Sequence, residues 1–311
     1  GTLNNGDQTD VTIATGVALN AVDDVEVYFS DINGNAPSAQ VNLANDTLAV
    51  INPLGFAAGT YVIGPSAGAD FPSIEAAFNA LESGGICGPI TLEVESGTYT
   101  VNETLSGPIS GASATNTITL TSQSGNAADV TLEHSATGAA DNFVIQLEEI
   151  SNFTLSNLTL RDANLTDQFG RLLEYSGPSN NNTVDGVVFE GDSTSNISGS
   201  TTDNLTLLFV DTDVQIDELT IQNSSFIGGS QGINDDGDFN SDNLDHLIEN
   251  NYFENQSYRS IEFNDIENLS IIGNEFRNTA FEDIEGIWGE DAINAVISDN
   301  LIYAENNAIG R

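Results

Sequence analysis

The chain has 311 residues, 39% of them hydrophobic, and sets 47 acidic side chains against 5 basic ones for a formal net charge of −42. That length and apolar content suffice for a large domain with its own core, so the acidity is not a mark of disorder. It does exclude nucleic acid and anionic membrane surfaces as partners, since both would be repelled. The five bases are Arg161, Arg171, Arg259, Arg277 and Arg311, with no lysine. Such a surface collects cations and suits a salty or calcium-rich exterior that screens its self-repulsion. Cys87 stands alone, which removes any intrachain disulfide framework, and no apolar run nears the roughly 20 residues that span a bilayer.

Residues 1–62 read as short alternating strands separated by turn residues such as Asn33-Gly34-Asn35 and Asn45-Asp46. Too few strands are present for a complete sandwich, which needs about seven. The segment is therefore expected to be the C-terminal part of an immunoglobulin-like β-sandwich module, with its other strands upstream. A second domain is expected over 63–311. Within it Pro72 and Ser73 open a helix of about 72–83, Ile74, Phe78 and Leu81 form one apolar stripe, and Gly84-Gly85 ends it. A short helix directly before the strand Ile90 to Val94 is placed to plug the N-terminal mouth of a tube of strands.

The remainder of the chain is built on a repeat. Phe226, Phe253, Phe276 and Ile302 recur at intervals of 27, 23 and 26 residues, each preceded five residues earlier by Ile221, Ile248, Ile271 or Ile297. A second series, Ile233, Ile261, Ile287 and Ile309, interleaves with it. An elastic period in the twenties without helical patterning suits the coils of a β-solenoid, whose inward residues stack at the strand spacing of about 4.8 Å. Asn251, Asn274 and Asn300 fall at a bend in each coil and read as a structural ladder, their amides bonding to the next coil. Over 90–204 the same coils are less regular: they end at Leu160 and Phe189, and 176–182 and 191–204 read as surface loops. Asn307 to Gly310 begins another coil, so further chain is expected beyond Arg311. The fold class is thus all-β: a right-handed parallel β-helix, resembling the pectin-lyase-like class, with a capping helix and part of a sandwich before it.

The string GTYVIGPSAGADFPSIEAAFNALESGGICGPITLEVESGTYT, followed by ISGASATNTITLTSQSGNAADVTL, covers residues 59–132. It resembles the start of β-helix domains in very large secreted surface proteins of gliding and marine Bacteroidetes. The resemblance implies type IX export and display at the cell surface. It also implies a role in adhesion, gliding motility or polysaccharide handling, with the secretion machinery and neighbouring domains of one long chain as partners.

Acidic residues follow each Ile of the second series and are expected to line up along one face: Asp235, Asp236 and Asp238, then Glu262 and Asp265, then Glu290 and Asp291. Stacked like charges repel and so invite cations. Asp236, Asp238, Asn240 and Asp242 alternate oxygen ligands as a calcium loop does, although Ser241 and Leu247 stand where an EF-hand has Gly and Glu. Calcium is the expected cofactor. If the chain is an enzyme, Asp235, Asp236 and Asp265 are its candidate catalytic carboxylates, since glycoside hydrolysis needs an acid and a carboxylate across the bond. Trp288 should face outward beside Ile287 and is the candidate sugar-stacking residue. Three readings stay open: a calcium-stabilised structural and adhesive module on the extracellular surface with a glycan partner, a polysaccharide-degrading hydrolase or lyase, and a subunit of an extracellular filament.

Overall fold

The computed structural model describes residues 25–28, 47–50, 55–163, 168–192, 203–212, 214–236, 242–280 and 285–304. From residue 59 onward the strands belong to four sheets in which every paired neighbour is parallel and comes from the next coil. The first sheet runs from Gly59–Ile63 through Ile118–Ser122 and Thr220–Gln222 to Val296–Ser298, and the second from Gly97–Thr100 through Ser225–Ile227 to Leu301–Ala304. The third runs from Glu103–Ser106 through Gln231–Asp236 to Glu285–Gly289. A fourth, of two-residue strands such as Asn243–Leu244, joins the third sheet to the first from residue 179 on. Parallel strands linked around a closed coil make a parallel β-helix.

The coils are held by columns of identical or similar side chains. Phe189, Phe226, Phe253 and Phe276 are in register on the second sheet, buried, with ring centroids 4.5, 4.8 and 4.9 Å apart and planes within 11° of parallel. Ile302 extends that column. Ile221, Ile248, Ile271 and Ile297 stack on the first sheet, and Ile233, Ile261 and Ile287 on the third. Each ring or methyl group therefore meets its counterpart at the strand spacing, so the period of the sequence is the contact of the core. Ile309 lies outside the described residues.

The asparagine ladder is present between the first and second sheets. Asn251 N–H donates to Asn274 Oδ1 at 2.9 Å and Asn274 N–H to Asn300 Oδ1 at 2.8 Å. The Nδ2 groups of Asn251, Asn274 and Asn300 donate to the carbonyls of Ile221, Ile248 and Ile271. The unusual backbone angles expected at these asparagines belong one residue earlier, to Asn250, Gly273 and Asp299 at φ of 55°, 68° and 57°. That left-handed residue turns the chain, and the next asparagine then points inward to collect backbone groups freed by the bend.

The helix forms as its caps dictate, over Ile74–Gly84, with Ser73 Oγ accepting from Ala76 N–H and Gly85 closing it at φ 68°. Ile74, Ala77, Phe78 and Leu81 are buried against the start of the helix of coils. A Cβ at Gly85 would lie 2.4 Å from the Ser110 carbonyl, so no other residue fits there. Ahead of it, Val25–Tyr28 pairs antiparallel with Thr47–Val50. The expected boundary after residue 62 is corrected: Gly59–Ile63 pairs in parallel with Ile90–Val94 and Phe56 is buried in the core of the coils, so 55–62 belong to the β-helix, and the remaining residues of 1–54 lie outside the described ones.

Replacing Asn274 by Leu strands the Asn251 N–H and the Ile248 carbonyl inside the tube. Urea unfolding of Asn274→Leu should show a loss of about 2–4 kcal/mol, the cost of two buried groups left unpaired. A change under about 0.5 kcal/mol would contradict the ladder's role.

Candidate functional site

Alternation along the third sheet sends every second side chain outward, and parallel stacking gathers those side chains into columns. One column holds Thr104, Gln146, Glu174, Phe209, Asn234, Glu262 and Trp288 in register. Beside it stand Thr206, Gln231, Arg259 and Glu285. These side chains hydrogen bond along the sheet. Thr104 Oγ1 donates to Gln146 Oε1 at 2.9 Å, and Gln146 Nε2 to Glu174 Oε1 at 2.7 Å. Arg171 Nη1 pairs with Glu174 Oε2 at 2.9 Å while its guanidinium lies 3.4 Å from the centre of the Phe209 ring.

A second group lies on later coils. Thr206 Oγ1 donates to Gln231 Oε1 at 2.8 Å, and Gln231 Nε2 to Glu262. Arg259 bridges Glu262 at 2.7 Å and Glu285 at 2.8 Å, and it rests between two rings, 3.9 Å from Trp288 and 4.4 Å from Tyr258. Burial pulls the Arg259 pKa down, but the two glutamates outweigh it and raise it. Trp288 faces outward as alternation requires and is half-buried, with Arg259 on its ring.

The acidic residues expected to share a face do not all do so. Asp235 is in register with Tyr175, Val210 and Phe263, an inward column, and is 2% exposed. Its Oδ2 lies 2.6 Å from His246 Nδ1, and its Oδ1 accepts from Asn243 Nδ2 at 2.9 Å. The expectation that Asp235 and Asp236 work as a surface pair is therefore corrected: Asp235 belongs to the interior. Asp236 ends its strand with its backbone paired to Asn264, and Glu290 N–H continues that register to Phe263 O. Asp265 and Asp291 are left-handed turn residues at φ of 51° and 45°. Asp265 presents its carbonyl to Asn243 N–H, and its side chain is half-exposed.

In the expected calcium loop Asp242 is half-buried, while Asp238 and Asn240 lie outside the described residues. Among the described residues no three His, Cys, Asp or Glu side chains come together to hold a metal ion. Of the two loops expected on the surface, 176–182 contributes the strand Ser179–Asn180 to the fourth sheet, and 193–202 lies outside the described residues.

Sequence reasoning misses His246 as a partner of Asp235. Its Nε2 faces the Ile216 carbonyl at 2.8 Å and its Nδ1 faces a carboxylate, so both nitrogens meet acceptors. Burial pulls the imidazole down; the charge and hydrogen bond of Asp235, the Ile216 carbonyl and Asp217 outweigh that and raise its pKa above the ordinary value. Tyr175, buried near Asp235, is raised by its burial and then by that charge.

No protein-family model matches the chain, and no curated protein matches its sequence. Solved structures do match its fold. The Escherichia coli protein YbhC superposes with a TM-score of 0.52 at 13% identity, over 85% of this chain and 77% of that one. A GH136 lacto-N-biosidase from Eubacterium ramulus gives a TM-score of 0.50 at 10% identity, over 79% of this chain and 56% of that one. A pectin methylesterase from Aspergillus niger gives 0.45 at 13% identity, over 79% and 84%. At these identities the likeness is one of fold, and the fold is the parallel β-helix.

The buried pair makes stability depend on pH. A histidine whose folded pKa is raised contributes fully below its unfolded pKa of about 6.5, and that contribution is lost as pH rises through the folded value. The difference in Tm between the native chain and the Asp235→Asn/His246→Gln variant should thus be constant below about pH 6 and shrink toward alkaline pH. A difference that grows with pH would mean that the proton does not reside in this pair.

Proposed function

We propose that the chain is a non-catalytic, glycan-binding β-helix module of a secreted cell-surface protein, and that the outward face of its third sheet holds the glycan. The observation carrying this reading is the commitment of that face's glutamates to arginines: Glu174 to Arg171, Glu262 and Glu285 to Arg259. Glycoside hydrolysis needs a carboxyl group holding a proton beside the glycosidic oxygen. These carboxylates are ion-pair acceptors instead. Glu174 and Glu262 also stand three strands apart in one column, roughly 14 Å at the ordinary strand spacing, against the roughly 5–9.5 Å used by retaining and inverting enzymes. What the face offers is partly exposed aromatic surface at Trp288 and Tyr258 beside a rigid hydrogen-bonded lattice, an arrangement suited to gripping a flat, hydroxyl-rich ring.

Surface display and type IX export belong to this proposal through the resemblance over 59–132, and the antiparallel strands Val25–Tyr28 and Thr47–Val50 would then belong to a module that links this one to its neighbours. Calcium at Asp236, Asp238, Asn240 and Asp242 would neutralise part of the acidic edge and stiffen the loop. The filament reading is less well supported. A head-to-tail stack needs two open mouths, and the buried stripe of Ile74, Phe78 and Leu81 covers one of them.

The test is to incubate the purified chain with neutral and acidic polysaccharides, with calcium or with chelator, following both retention and the release of new chain ends. Retention without new ends is expected, with Trp288→Ala weakening it about tenfold, the equivalent of about 1.4 kcal/mol. New chain ends that disappear in Asp236→Asn would make the protein a polysaccharide-degrading enzyme and overturn the proposal.

A further inference from the structure

The two hydrogen-bonded groups on the third face do not meet. The first ends where Arg171 covers Phe209, and the second begins at Thr206, Gln231 and Glu262. Between them, in the same column, stands Asn234, with Phe209 on one side and Glu262 on the other. Asn234 is 5% exposed, and its Oδ1 has no hydrogen-bond partner. An amide oxygen taken out of water and left unpaired is destabilising, and proteins keep such atoms where something else satisfies them. Its neighbours in the column are an apolar ring and a carboxylate already engaged as an acceptor, so the missing group is a donor.

Charge narrows what that donor belongs to. Arg171 and Arg259, the two cations of this face among the described residues, are each neutralised by glutamate, and the chain as a whole carries −42. Neither arginine is left to receive a uronate or sulfate group, and the surrounding field opposes one. We infer that the third face takes a neutral glycan and that Asn234 Oδ1 accepts a hydrogen bond from one of its hydroxyl groups. The inference rests on the glycan-binding reading above and adds the class of sugar and the residue that reads it. Trp288, beyond Glu262 in the same column and half-buried, gives the ring apolar surface on one flank of that hydrogen bond, while Phe209 on the other flank lies under Arg171.

The experiment is affinity electrophoresis of the whole chain through gels containing laminarin or galactomannan as neutral probes and polygalacturonate or alginate as acidic ones, at two salt concentrations and in the presence of chelator. Retention by a neutral probe, insensitive to salt, is expected, with little or none by the acidic probes. Asn234→Leu, which keeps the volume and removes the acceptor, should weaken retention about tenfold, the worth of one well-buried hydrogen bond, with its melting temperature unchanged or raised. Asn234→Ala, which leaves space instead of filling it, should behave alike and serves if the leucine is not accommodated. Undiminished retention of both variants would remove Asn234 from the site. Should Trp288→Ala lose binding while both Asn234 variants keep it, the glycan-binding reading stands and this inference alone falls. Preferential retention by the acidic probes would overturn the class of sugar, and retention by no probe would overturn the inference together with the reading beneath it.

Discussion

No coil of this molecule has a core of its own. A ring such as Phe253 is buried because Phe226 lies 4.8 Å on one side and Phe276 lies 4.9 Å on the other, and neither contact exists within a single turn of chain. The strand spacing sets that distance, parallel pairing sets the register, and the side chains that stack best are those repeated from coil to coil. The asparagine ladder is the polar form of the same constraint: Asn274 Oδ1 accepts from the Asn251 N–H of the coil before it, and the Asn274 N–H donates to Asn300 Oδ1 of the coil after it. A helix plugs one mouth because a stack of open rings must otherwise leave apolar residues uncovered.

The same register that fills the interior organises the exterior. Outward residues on the third sheet are brought into columns by the core, so Gln146, Glu174, Gln231 and Glu262 meet their partners on the next coil although 42 and 28 residues separate those pairs in the first group and 25 and 31 those in the second. A stiff lattice of this kind holds side chains in place before any ligand arrives, which lowers the ordering entropy lost on binding. The interior shows the opposite economy. Asp235 and His246 occupy a position that apolar residues fill on other coils, and they are tolerated because Asn243 and the Ile216 carbonyl complete their hydrogen bonds.

Much of the fold is legible in the sequence because its period is its packing. The phenylalanine and isoleucine series predict the columns, and Pro72, Ser73, Gly84 and Gly85 predict the helix from its caps. The direction of Asp235 is also readable: Ile233 points inward, and a period of two carries Asp235 inward with it, although the unbroken run of acidic residues hides that alternation. The two-residue strands of the fourth sheet are too short to leave a pattern. The left-handed turns are shared among Asn, Gly, Asp and two Glu, so the ladder asparagine and the turn residue beside it are hard to tell apart by composition alone. The arginine and glutamate pairs of the third face are hidden for a different reason, since outward columns vary from coil to coil and only the register shows which residues meet.

The account stands or falls on the third face as a sugar-binding surface, and Trp288, the chain's one tryptophan, reports on it without labelling. Its fluorescence should be followed while a neutral oligosaccharide is titrated into the native chain. A saturable change in emission, reproducing the concentration dependence of retention, is what the account predicts. Retention of the glycan with Trp288 emission unaltered would place binding elsewhere on the molecule and contradict it.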